Sequence, residues 1–137
     1  MKLHSGWLAI GLLIFAVMAC STSNTSSGPI SEGHMARDNN GEPGDTTNTF
    51  APGDRTVHCL VKLSEAKEGT RIKFVWTILD AGDSKNEKLK DIDYTTGAKE
   101  NIVHGHLTAP RDWPTGKYRC EVFVNDKSEK TMDYYVK

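Results

Sequence analysis

The sequence lacks the features that announce most enzymes and nucleic-acid binders. No Gly-x-Ser-x-Gly elbow, no Walker-type glycine loop and no His-Glu-x-x-His pair occurs in its 137 residues, so the usual seats for a nucleophile, a nucleotide phosphate or a catalytic zinc are missing. Formal net charge is −1, and lysines and arginines are interleaved with acids rather than gathered in a block; nothing here suits a phosphate backbone. No apolar run approaches the roughly 20 residues that a spanning helix needs. Helical periodicity is absent beyond the first twenty residues, and no internal repeat is visible. Cysteine is scarce, with three in all. An enzyme is not expected, nor a cofactor, nor a nucleic-acid partner.

What is present falls into three textures. Lys2 and His4 precede a run from Trp7 to Ala19 that is almost wholly apolar and ends at Cys20. At about 13 residues it fits the h-region of a secretory signal peptide. Its end, Val17-Met18-Ala19-Cys20, resembles the lipobox of bacterial lipoproteins. That resemblance implies a signal peptide over residues 1–19, lipidation at Cys20, and an anchor of two or three acyl chains, enough for stable membrane attachment. It places the chain in a bacterial cell envelope. Ser21 supplies no aspartate-based retention signal, which favours the outer membrane if the organism is Gram-negative.

Residues 20–48 then read as a lipidated cysteine and a disordered tether rich in Ser, Thr, Asn and Gly, with Ile30 and Met35 nearly its only large apolar residues. Such a stretch cannot bury enough surface to offset its ordering entropy. As a coil it would span about 30 Å.

From Phe50 the pattern changes to period two, the mark of half-buried strands. Val57, Cys59, Val61 and Leu63 share one face; Ile72, Phe74, Trp76 and Ile78 share another; Tyr118, Cys120, Val122 and Val124 a third; Met132, Tyr134 and Val136 a fourth. Weaker candidates cover residues 88–95 and 99–108, residues 80–86 read as a polar loop, Asn125-Asp126 as a hairpin turn, and a short strand near Phe50 makes about seven. Over residues 49–137 the order Cys59, Trp76, Tyr118-x-Cys120 is similar to the immunoglobulin-fold signature, which implies an all-β immunoglobulin- or fibronectin-like sandwich of about seven antiparallel strands. The resemblance also implies that Trp76 packs beside the cysteines and that Tyr118 forms a tyrosine corner. In an exported chain, Cys59 and Cys120 on core faces are expected to be oxidised to one another, with the lipid occupying Cys20; two independent buried thiols are the alternative.

Two sets of residues are candidates for function. Trp113 in a turn, with Phe123, Tyr135 and Val75 on outward strand faces, could form a surface for an envelope protein partner, since aromatics are enriched in interface hot spots. That makes a membrane-anchored module for protein–protein binding or assembly the first expectation. Its alternative is metal handling through His58, His104 and His106, imidazoles being ligands for zinc and copper. Strand alternation puts all three opposite apolar neighbours, hence on solvent-facing sides. Asp80, Asp83, Glu87, Asp91 and Asp93 do not have the spacing of an EF-hand loop and read as solvated charge.

Overall fold

The computed structural model describes residues 28–137; the expected signal peptide, the lipidation site Cys20 and the start of the expected tether lie outside the described residues. The described residues form nine strands: β1 (Ile30–Asn39), β2 (Glu42–Thr46), β3 (Thr49–Phe50), β4 (Thr56–Leu63), β5 (Arg71–Ala81), β6 (Ser84–Thr95), β7 (Ile102–Thr108), β8 (Gly116–Val124) and β9 (Lys127–Val136). They build two sheets, one of four strands in the order β2-β1-β4-β7 and one of five in the order β3-β9-β8-β5-β6. The short β3–β9 pair is parallel and the other ladders are antiparallel.

The alternating apolar residues face inward as their period requires. Val57, Cys59, Val61 and Leu63 of β4 and Val103 and Leu107 of β7 meet Ile72, Phe74, Trp76, Tyr118, Cys120, Val122, Met132 and Tyr134 from the other sheet, all buried. Trp76 pairs in register with Cys120 and stacks against Phe74 at 5.8 Å between ring centroids. Room for these two rings comes from Gly105, the β7 residue opposite Cys59. A Cβ there would lie 2.9 Å from Phe74 and 3.0 Å from Trp76. Tyr118 donates its hydroxyl to the Pro114 carbonyl four residues earlier, which is the expected tyrosine corner.

Four expectations are corrected. The tether gives way before residue 48, because residues 30–46 are the hairpin β1–β2, and β1 runs antiparallel along β4 from Ile30↔Leu63 to Arg37↔Val57. Little hydrophobic burial holds it: Met35 enters the core while Gly33 lies against Met132 and Lys130. The backbone ladder to β4 and the tight Asn40-Gly41 turn, with φ of 54° and 92°, supply the rest. A turn with two positive φ values matches the twist of the strands it joins. Second, the sandwich begins before residue 49: β3 to β9 are the expected seven strands of residues 49–137, and β1 and β2 add to them. Third, the expected loop at 80–86 is a two-residue turn, Gly82-Asp83, closing a hairpin in which β6 pairs with β5 from Thr95 to Ser84. β6 escaped notice because it is a charged edge, exposed along most of its length, and a backbone ladder needs no apolar side chains.

The fourth correction concerns the cysteines. Cys59 and Cys120 are free thiols here, both fully buried. Burial first, then the hydrogen bond and charge of Cys59, push the Cys120 thiol well above the ordinary range. The two sulfurs are close enough to hydrogen bond, so the cross-sandwich juxtaposition is as the sequence implied, and the covalent bond is not made.

Candidate metal centre

The three histidines converge. His58 on β4 stands directly opposite His106 on β7, and His104 lies two residues along, opposite Leu60. Residues facing each other across a ladder share a sheet face, so all three side chains rise from the outer face of the four-stranded sheet. Ring centroids are 5.5 Å apart for His58–His104, 5.6 Å for His58–His106 and 6.3 Å for His104–His106. One ligand nitrogen from each falls within 4.8 Å of the others. Tetrahedral zinc with Zn–N bonds of about 2.0–2.1 Å sets its nitrogens about 3.4 Å apart; modest side-chain rotation covers the difference.

His58 is not the solvent-facing side chain that alternation implied. It is fully buried, since β1 lies beside β4 with Ala36 opposite His58 and the hairpin turn brings Asp38 over it. Asp38 Oδ1 lies 2.7 Å from His58 Nε2, and the same carboxylate accepts the Gly41 N–H at 3.2 and 3.3 Å. One acid thus closes the β1–β2 turn and fixes the imidazole. The His58 bond, ahead of the Gly41 bond, holds the Asp38 carboxyl below the usual carboxylate range. An ionised carboxylate can only accept, so His58 Nε2 carries the proton of that bond and Nδ1 is the nitrogen left for a second partner. That Nδ1 is buried and has no hydrogen-bond partner.

A buried polar atom without a partner is costly. An Asp–His pair serving only to pin the hairpin would account for Nε2. It would not account for an orphaned Nδ1 in a cluster with two further imidazoles. A carboxylate–imidazole–metal arrangement accounts for all of it, because metal-bound histidines generally donate their second nitrogen to a carboxylate or carbonyl. His104 and His106 stay exposed. Desolvation, then the neighbouring His58 and His106, hold His104 below the ordinary imidazole value, with Glu42 opposing. A neutral imidazole is the form that binds metal.

Of the other candidates, Val75 and Phe123 come together in one groove on the outer face of the five-stranded sheet, and Trp113 does not join them. Trp113 is buried at 5% exposure; its Nε1–H reaches the carbonyls of Asp54 and Arg55 and its ring packs edge-on against Tyr118. Val75, Phe123 and Tyr135 are only partly exposed, and Tyr135 lies under the ammonium groups of Lys117 and Lys137 at 5.9 and 5.6 Å. Asp38, missed from sequence, had a readable signal beside it. Asn40-Gly41 is the strongest short hairpin signature, and it makes Asp38 a strand-end residue rather than part of a coil.

With this geometry in hand, the molecule is an immunoglobulin-like β-sandwich. It is similar over 82% of its length to an immunoglobulin-like protein from Pseudomonas aeruginosa known from a 1.50 Å crystal structure, with a TM-score of 0.56, 11% identity and 99% of that protein covered. At that identity the likeness defines the fold. No protein-family profile matches the sequence, and no curated protein matches it.

Proposed function

We propose that the chain is an exported, lipid-anchored immunoglobulin-like domain that binds a first-row transition-metal ion through His58 Nδ1, His104 and His106. The observation that carries this reading is His58: fully buried, with Nε2 committed to Asp38, Nδ1 unpaired, and its ring centred 5.5 and 5.6 Å from two other imidazoles. All-imidazole sites suit zinc, copper and nickel rather than calcium or magnesium. Three protein ligands leave a fourth position for water or an exchangeable ligand, and two of the three histidines are exposed, so the ion would be exchanged and not entombed. That is the character of a metal-handling site. Anchoring at Cys20 rests on the lipobox resemblance alone.

Titration of the full chain with zinc and copper tests the site. A stoichiometry of one ion per chain, lost in H104A/H106A, is expected. No binding tighter than about 10 μM would overturn the proposal.

A further inference from the structure

The β7 strand bears the two exposed imidazoles of the site on a sheet margin, and that margin differs from the other three. Unpaired margins invite another chain, and proteins commonly blunt them with charge, proline, bulges or brevity. β2 is five residues long, contains Pro43 and pairs with a register shift. β3 has two residues. β6 carries Lys85, Glu87, Lys88, Lys90, Asp91 and Asp93, with a shift opposite Trp76 and Thr77. β7, Ile-Val-His-Gly-His-Leu-Thr, has no Asp, Glu, Lys, Arg or proline, and its ladder to β4 runs seven residues without a shift.

The direction of its free backbone groups can be worked out. Leu63 N–H donates to the Asn101 carbonyl at 2.6 Å, and Ala109 N–H donates to the Arg55 carbonyl at 2.8 Å. Antiparallel ladders alternate hydrogen-bonded and non-hydrogen-bonded pairs, so the odd-numbered residues of β7 bond to β4. Ile102, His104, His106 and Thr108 therefore turn their N–H and C=O groups to the open side. All four are exposed, and Ile102 reaches 60%.

We infer that β7 is a self-association edge, on which a second copy of this chain adds its own β7 antiparallel about a twofold axis at Gly105. The strand is nearly its own complement about that residue. With the axis there, Ile102 faces Thr108 of the second copy and His104 faces its His106, so four facing pairs each exchange two backbone hydrogen bonds. On the core side Val103 meets Leu107 of the second copy. No charge is doubled across the axis, whereas self-pairing of β6 about Leu89 would set Lys88 against Lys90 and Glu87 against Asp91. The union makes one sheet of eight strands across two molecules, and it sets the His104 and His106 side chains of both copies on one continuous face. Backbone direction and charge define this edge whether or not a metal binds.

Cysteine trapping of the full chain in isolated envelopes, with EDTA present to remove metal and diamide as oxidant, tests the register. I102C/T108C should give a disulfide-linked dimer on non-reducing gels, and each single variant should give little, because Ile102 and its own symmetry mate lie about 20 Å apart along the strands. N101C/A109C, the next facing pair in the same register, should crosslink too and guards against misfolding of the first variant. Absence of dimer from both pairs while near-UV circular dichroism remains native, equal crosslinking by the single variants, or capture of a different protein in place of a second copy would each overturn the inference. Loss of the dimer leaves metal binding untouched, and loss of metal binding leaves the EDTA-treated dimer untouched.

Discussion

The two outer faces of the sandwich are both polar, but their polar groups are differently satisfied. On the five-stranded sheet, charges close on one another: Arg119 grips Asp133 at 2.7 and 3.3 Å, Lys117 approaches the same carboxylate at 3.6 Å, Lys73 stands 3.9 Å from Asp93, and Lys88 meets Asp91 at 2.9 Å. Every one of these side chains keeps access to water, so removing a partner leaves nothing stranded. On the four-stranded sheet an imidazole is sealed under a hairpin with one nitrogen paired and one not. Abundant charge on a surface therefore says little about function. An unsatisfied polar atom under cover says more, because the fold bears its cost without a structural return.

If that difference is real, substitution should separate the faces. The largest effect is expected for H104A/H106A, which leaves one imidazole: affinity for zinc or copper should fall at least about 100-fold, measured by calorimetry, with thermal stability nearly unchanged because both side chains are exposed. Next is D38N. The amide keeps the shape but loses the ionised acceptor that holds the His58 tautomer and the Gly41 N–H, so metal affinity should drop about 10- to 100-fold with all three ligands in place. A purely architectural Asp38 would lower the melting temperature and leave affinity per folded molecule alone.

Gly105 links the site to the core beneath it. G105A sets a methyl 2.9 Å from Phe74 and 3.0 Å from Trp76, neither able to withdraw within a packed interior, and should cost about 1–3 kcal/mol in denaturant unfolding. A metal titration at a temperature where G105A is folded should show weakened binding as well, since the glycine sits between two ligands on β7.

How much of this was readable beforehand depended on whether a residue's environment came from its own strand or from one distant in sequence. The core faces of β4, β5, β8 and β9 follow from period two, and the corner at Tyr118 and the juxtaposition of Cys59 with Cys120 follow from the order of Cys, Trp and Tyr-x-Cys. Alternation also put the three histidines on outward faces correctly. It could not show that His58 is covered. The cover is β1, whose ten residues include just two large apolar ones, Ile30 and Met35, and whose stability comes from a backbone ladder to β4 that composition does not report. Trp113 failed for the converse reason. A tryptophan flanked by turn residues looked exposed, yet the chain folds it back over Asp54 and Arg55, where its N–H finds two carbonyls.

The smallest effect belongs to the five-stranded face and completes the contrast. Arg119 and Asp133 are a two-pronged pair with side chains 38% and 29% exposed, so solvent screening limits R119A to below about 1 kcal/mol. The pair should nevertheless leave a mark on the acid limb. The Arg119 hydrogen bond, ahead of its charge and that of Lys117, holds the Asp133 carboxyl below its unperturbed value of 3.8. A carboxyl whose pKa is lower folded than unfolded binds more protons when unfolded, so its contribution is complete above that unfolded value and vanishes as pH falls through the folded one. Urea unfolding of R119A and the parent should therefore differ slightly and evenly at neutral pH and converge in acid as the folded carboxyl is protonated, and 1 M salt should shrink the neutral difference. A difference that persisted unchanged into acid would mean that Arg119 acts by packing its alkyl stem on the sheet, and the two faces would then differ in how their side chains pack rather than in how their charges are met.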